Sequence, residues 1–256
     1  MLLYGDCLEV MKHIDDNSID MILCDLPYGT TKCSWDILIP FDQLWNQYNR
    51  IAKRNAAIVL FGTEPFSSYL WLSNINDYRY DFYWKKERVT NIFQLKKRAG
   101  KIIETISVFY KYQPTYNPQM IQYTGNKRTN KVKNGKLGTL IDSGNKKPNE
   151  YVDNGSRFPT QLLEFKRDIL TSNLHPTQKP VALLENLIKT FTNESNVVLD
   201  NCMGSGSTAI ACINTNRKFV CIEKDPIFYQ ISEDRIKNTD VYFLFFTKKE
   251  CCLWYN

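Results

Sequence analysis

With 256 residues, 43% apolar and 13% aromatic content and 23% charged residues, the chain can bury one sizeable α/β core, which excludes a disordered or fibrous protein. Thirty-three basic against 27 acidic residues give a net charge of +6, a modest pull toward a polyanion. Apolar runs such as VYFLFF at 241–246 fall far short of the roughly 18 residues a membrane span needs, and MLLYGDCLEV lacks a basic lead, so a cytoplasmic protein without a signal peptide or membrane partner is expected.

In chain order, IDMILCD reads as a buried strand, FDQLWNQYNRIAK as an amphipathic helix and AAIVLFG as a second strand, the grammar of a βαβ unit. YDFYW (80–84) and TISVFY (105–110) are further strands, separated by the basic stretch KKERVTNIFQLKKRAGK, which either binds or is merely solvated. From 111 to 174 the apolar periodicity gives way to Asn, Gly, Lys, Thr and Pro, as expected of an inserted recognition region. Residues 83–149 carry fifteen basic against three acidic side chains, a local +12 that leaves −6 on the remainder. Tyr112, Tyr116, Tyr123, Tyr151 and Phe158 interleave with that charge, a pattern suited to nucleic acid. Pro180 then opens a helix striped by Val181, Leu184, Leu187, Ile188 and Phe191; NVVLD, MGSGSTAIACIN, KFVCIE and PIFYQISEDRIKN follow as strand, helix, strand and helix, a second βαβ block.

Gly204, Ser205, Gly206 and Ala209 fit a G-x-G-x-x-A turn between strand and helix, and Glu223 closes the next strand, where a carboxylate can take ribose hydroxyls. An adenosine-containing cofactor fits. Nicotinamide enzymes use the same geometry, but Asp200 lies just before the turn, where it would repel a pyrophosphate and could hold an amino acid's ammonium. S-adenosylmethionine suits both ends. Too few residues follow Gly204 to finish a doubly wound sheet, so the remaining strands must come from the N-terminal half and the sheet must be circularly permuted. Asp25, Leu26, Pro27 and Tyr28 follow IDMILC at a strand's carboxyl end, where open α/β sheets build their sites; an ordinary Asp-Pro turn would use the same residues.

Together DLPYG, HPTQKP and DNCMGSGST resemble the amino-methylating DNA methyltransferases, in the β-class order of catalytic motif, recognition region and cofactor motif. The resemblance implies a Rossmann-like α/β fold, circularly permuted: 1–110 the catalytic half, 111–174 a target-recognition insert, 175–256 the cofactor half. It also implies site-specific methylation of double-stranded DNA, most often at N6 of adenine where the motif begins with Asp, with N4 of cytosine as the alternative. Asp6 would help hold the adenine, and Thr177 and Lys179, within HPTQKP, would contact the cofactor's methionine end. Phe61 to Pro65 resemble the loop lining the same pocket. Leu26 departs from the family's first proline, but its position is asked only for a backbone carbonyl.

An exocyclic amino nitrogen shares its lone pair with the ring and is a poor nucleophile; Asp25 and a neighbouring carbonyl can accept its two N–H groups and aim the lone pair at a sulfonium methyl. The target base must leave the duplex stack, and Tyr28 is placed to stack on it. Cys24 and Cys33 need not act as nucleophiles, and eight cysteines without a CxxC pair, with His13 and His175 alone, predict no metal site. A nicotinamide-dependent oxidoreductase and an inactive DNA-binding module are the rival classes. A homodimer and a cognate restriction endonuclease stay open as partners.

Overall fold

A computed structural model describes residues 1–30, 36–123, 155–168 and 178–239. They form β1 (Leu2–Tyr4), α1 (Cys7–Met11), β2 (Ile19–Cys24), α2 (Phe41–Ile51), β3 (Ala52–Gly62), α3 (Phe66–Ser73), β4 (Tyr78–Lys85) and β5 (Ile103–Phe109). After these come β6 (Ile121–Gln122), β7 (Ser156–Arg157), β8 (Leu162–Glu164), α4 (Val181–Phe191), β9 (Val197–Asp200), α5 (Ser207–Asn214), β10 (Lys218–Glu223) and α6 (Pro226–Lys237).

Eight strands make one sheet in the order β1-β10-β9-β2-β3-β5-β4-β8. The run from β1 to β3 is parallel, and β5 alone runs against its neighbours. The two sequence halves join at the β2–β9 pairing, with Met21 opposite Val198 and Ile22 opposite Leu199. That junction is where the strand order switches direction, and open α/β sheets bind ligands at such a point. The Rossmann-like arrangement expected from the sequence is therefore the one found.

Alternation along the buried strands divides the core between the sheet's two faces. Met21, Leu23 and Val198 pack with Leu183, Leu187 and Ile188 of α4, whereas Ile22, Cys24 and Leu199 pack with Leu44, Trp45 and Tyr48 of α2. Helix α2 ends at Ile51, two residues earlier than expected, because Ala52 turns extended and pairs with Ile19 on β2. Pro226 stands in the first turn of α6, and the Asp225 carboxylate caps it by accepting from the Ile227 and Phe228 amides, as helix starts favour.

The chain divides into two compact units, Met1–Asn117 with Thr160–Asn256, and Pro118–Pro159. In the smaller unit β6 pairs antiparallel with β7 and the Arg157 guanidinium lies 4.8 Å from the Tyr123 ring centre. The expected insert of 111–174 is thus wider than this unit at both ends. Residues 162–164 join the main sheet as β8, parallel to β4, with Leu163 buried and the Trp84 indole donating to the Phe165 carbonyl at 2.9 Å. One inward side chain is too little for a periodicity to show. VYFLFF, Cys251 and Cys252 lie outside the described residues, as do His175, Thr177 and Cys33.

Candidate active site

The carboxyl ends of β2, β3, β9 and β10 share one edge of the sheet. Because β5 runs antiparallel, its amino end, with Glu104, comes to the same edge, and Lys86 reaches it from the end of β4. A cavity of about 560 Å³ opens there, lined on one side by Asp25, Leu26, Pro27 and Tyr28 and on the other by Asp200, Gly204, Ser205 and Glu223. Asp6 and Lys179 line it as well.

The β2 wall is made of charges. The Lys179 ammonium is paired with Asp25 Oδ2 and lies 2.9 Å from Glu104 Oε1. Lys86 reaches Glu104 Oε2 at 2.6 Å. The Tyr28 hydroxyl donates to Asp25 Oδ1 at 2.5 Å, with Glu104 Oε1 at 3.2 Å as a second acceptor. Two carboxylates and two ammoniums thus balance, as buried charge requires. Burial pushes the Asp25 carboxyl above its ordinary range, against the pull of Lys179 and with a further push from Glu104. Burial acts on Glu104 in the same sense, but the ammoniums of Lys179 and Lys86 outweigh it and hold that carboxyl at about 2. For Lys179 burial favours the neutral amine, and the two carboxylates overcome it, keeping the ammonium charged.

The opposite wall is made of backbone. Gly204 and Gly206 take positive φ of 52° and 75°, the left-handed region glycine enters freely, and Gly206 caps α5. Helix α6 holds this turn from behind. Ser232 donates to the Gly204 carbonyl at 2.6 Å, and Arg235 to the Ser205 carbonyl and the Ser207 hydroxyl, each at 2.9 Å. The Glu223 carboxylate accepts from the amides of Gly204 at 2.9 Å and Asp225 at 2.8 Å. Asp200 accepts from the Thr208 hydroxyl at 2.6 Å and the Cys202 amide at 3.1 Å, and burial pushes its carboxyl up to about 6.

Ten of the twelve singled-out residues therefore face one cavity. Gly206 stands behind the lining, against Ser232, and Thr177 is outside the described residues. Lys179, expected at the cofactor's methionine end, lines the cavity and is ion-paired there with Asp25 and Glu104, because a buried ammonium goes to its counter-charges. Tyr28 was expected to stack on a base; here its hydroxyl is bound to Asp25 and its ring rests on Phe66, centres 4.8 Å apart. Glu104 and Lys86 were missed as partners. The one available signal was a lone acid, Glu104, at the head of an apolar strand. Asp36, also missed, ties the turn after Tyr28 by accepting from the Gly29 and Thr30 amides at 2.8 and 2.9 Å. Cys24 is buried and its thiol is pushed up to about 12 by that burial, so no thiolate is available there.

An acid clamp facing a glycine turn across one crevice defines a nucleotide-handling α/β enzyme. The chain belongs to the DNA methylase family, whose sequence model matches residues 19–234. It is 28% identical over 250 residues to the DNA adenine methyltransferase YhdJ of Escherichia coli (strain K12), covering 92% of this chain and 82% of that protein. To the Type II methyltransferase M2.MboI of Moraxella bovis it is 27% identical over 264 residues, covering 90% and 85%. Among solved structures, the M1.HpyAVI–SAM complex has the same fold with a TM-score of 0.61 at 23% identity, over 92% of this chain and 98% of that one. The PvuII DNA methyltransferase (cytosine-N4-specific) does so with a TM-score of 0.66 at 18% identity, over 94% and 90%.

Among the described residues no helix is long and apolar enough to cross a membrane, and no group of three or more His, Cys, Asp or Glu is placed to hold a metal ion.

Proposed function

We propose that the protein methylates double-stranded DNA at the exocyclic N6 of adenine, using S-adenosylmethionine as donor. The observation that carries this reading is the single cavity walled by the Asp25–Tyr28 segment and the glycine turn. The donor set fits such a cofactor: the acids Asp6, Asp200 and Glu223 suit its hydroxyls and positive charges, and the Gly204–Ser205 backbone admits close approach. When bound, the cofactor supplies an electrophilic methyl group on a sulfonium.

The chain's own residues prepare the acceptor. Asp25 Oδ1 and the Leu26 carbonyl take the two amino hydrogens, which directs the nitrogen lone pair toward the cofactor wall. Once the nitrogen has become cationic, Asp25 accepts its surplus proton, a transfer within reach of a carboxylate that could not deprotonate the neutral amine. For the base to reach Asp25 the Tyr28 hydroxyl must let go, and Glu104 Oε1 at 3.2 Å is the acceptor that receives it. The ring, freed of that bond, offers its face to the base. Residues 111–174 serve target recognition, as their eleven basic against five acidic side chains support. A homodimer and an accompanying endonuclease belong to this reading as partners, and a cytoplasmic location goes with them.

N4 of cytosine is the second reading, favoured by the shared fold with a cytosine-N4-specific enzyme; the adenine reading rests on the relative named an adenine methyltransferase and on the Asp that opens DLPY. Nucleoside mass spectrometry of DNA incubated with the protein and S-adenosylmethionine decides. N6-methyladenine is expected, and N4-methylcytosine as the sole product would overturn the assignment.

A further inference from the structure

Between β4 and β5 the chain leaves the sheet at the same edge as the cavity and returns as a closed loop. Its stem is built as firmly as a strand pair. The Lys86 amide donates to the Ile102 carbonyl at 2.8 Å and the Thr90 amide to the Lys101 carbonyl at 2.9 Å. The Asn91 side chain staples the neck, donating to the Ala99 carbonyl at 3.0 Å and accepting from the Lys101 amide at 2.6 Å. Gly100 lets the neck close tightly, since a Cβ on it would lie 2.5 Å from Val89 Cγ1 and force that side chain to shift.

This rigid neck displays apolar side chains outward. The tip, a 3₁₀ turn over Ile92–Gln94, leaves Ile92 64%, Phe93 101% and Leu95 45% exposed. Around it stand the exposed cations Arg88, Lys96, Lys97 and Arg98, while the stretch's single acid, Glu87, is engaged by Arg167 at 2.8 Å. The stem residues Thr90 and Lys101 line the cavity, so the tip rises from its rim. An apolar tip inside a cationic collar suits a partner that is anionic outside and stacked inside. Duplex nucleic acid is such a partner, and apolar wedges between base steps are a general means of opening it.

We propose that the β4–β5 loop is the base-extrusion element, with Phe93 as the wedge that enters the stack beside the target base while Arg88, Lys96, Lys97 and Arg98 hold the flanking phosphates. This rests on the DNA methylation reading above and adds to it the residue that keeps the gap open. It also places duplex contact on the larger unit, outside residues 111–174.

The test compares the parent and Phe93→Ala on two oligonucleotides carrying the methylated site, one fully paired and one mismatched opposite the target base, where extrusion is easier. Because Phe93 is fully exposed, the variant keeps the parent's melting temperature. On paired DNA kcat/KM should fall about 10- to 100-fold, as expected for loss of one base-stacking aromatic; on the mismatched duplex it should return to within about threefold of the parent. Phe93→Trp should retain activity on both. Neutralising Lys96, Lys97 and Arg98 to Gln should weaken both substrates alike and reduce the slope of log K against log salt by about 2 to 3. An unchanged kcat/KM on paired DNA, or an equal loss on both duplexes, overturns the wedge and leaves the methylation reading standing. A parent that methylates neither duplex sinks that reading, and the wedge with it.

Discussion

The two walls of the cavity are built by different means. The β9–β10 wall is a continuous stretch from Asp200 to Glu223 in which backbone amides and glycine dihedrals do the positioning, with the acids held by those amides. The β2 wall is assembled from Asp25, Lys86, Glu104 and Lys179, side chains from four separated parts of the chain tied together by charge. A wall of backbone has one shape and suits an invariant ligand. A wall of balanced charges can exchange partners, as the proposed function asks of the Tyr28 hydroxyl, which must leave Asp25 Oδ1 for Glu104 while Lys179 stays on Oδ2.

Breaking each wall should therefore fail differently. The largest effect is expected at Asp25: Asp25→Ala should lower kcat about 10³-fold, the upper range for removing a group that stabilises developing charge. Binding of S-adenosylmethionine, followed by calorimetry, should remain within about twofold of the parent, because the cofactor wall is untouched. A comparable loss of affinity would mean that the walls are not separable. Next comes Gly206→Val on the opposite wall. A side chain there must adopt φ 75° with its Cβ 3.1 Å from Ser232 Cβ, a strain of about 2 kcal/mol. The expected result is a melting temperature lowered by about 4–8 °C together with weaker cofactor binding, read by thermal denaturation with and without the cofactor.

Glu104→Gln probes the exchange of partners and should be milder, about tenfold in kcat. The charge of Glu104 is one of the influences that raise the Asp25 carboxyl, so removing it should move the acid limb of the kcat profile to lower pH. A purely structural Glu104 would lower kcat without moving that limb. Stability supplies an independent sign. The Glu104 carboxyl sits at about 2 against an ordinary 4.5, so its charge stabilises the fold above pH 4.5, and that contribution is lost as the pH falls through about 2. Acid unfolding of Glu104→Gln should lack this component.

The same contrast explains what could be read in advance. A turn such as MGSGSTA carries its geometry in adjacent residues, and Glu223 lies one strand further on, so the backbone wall was legible from spacing. DLPY was legible because it directly follows a strand, and the strand's carboxyl end fixes its place. Glu104 and Lys86 were not, because only the antiparallel entry of β5 brings the head of that strand to the cavity, and nothing in TISVFY states its direction. Lys179 was identified, but its ion pairs with Asp25 and Glu104 were not foreseen, for the same reason: a motif in one dimension does not say which counter-charge its ammonium will meet. β8 escaped because three residues with one inward Leu163 carry no periodicity.

The smallest expected effect lies at Thr208, whose hydroxyl lowers the Asp200 carboxyl by donating to it at 2.6 Å, against the burial that raises it to about 6. Thr208→Ala removes that donor, so the carboxyl should rise further and Asp200 should be partly protonated nearer neutrality. If the ionised Asp200 holds the cofactor's ammonium, affinity should drop a few-fold near pH 6.5 and match the parent at about pH 8.5, where the carboxylate is charged in both proteins. Calorimetric titration of S-adenosylmethionine across that range measures it. A loss equal at both ends would assign Thr208 to packing at the start of α5 and leave the backbone of the turn, without the charge of Asp200, as what seats the cofactor.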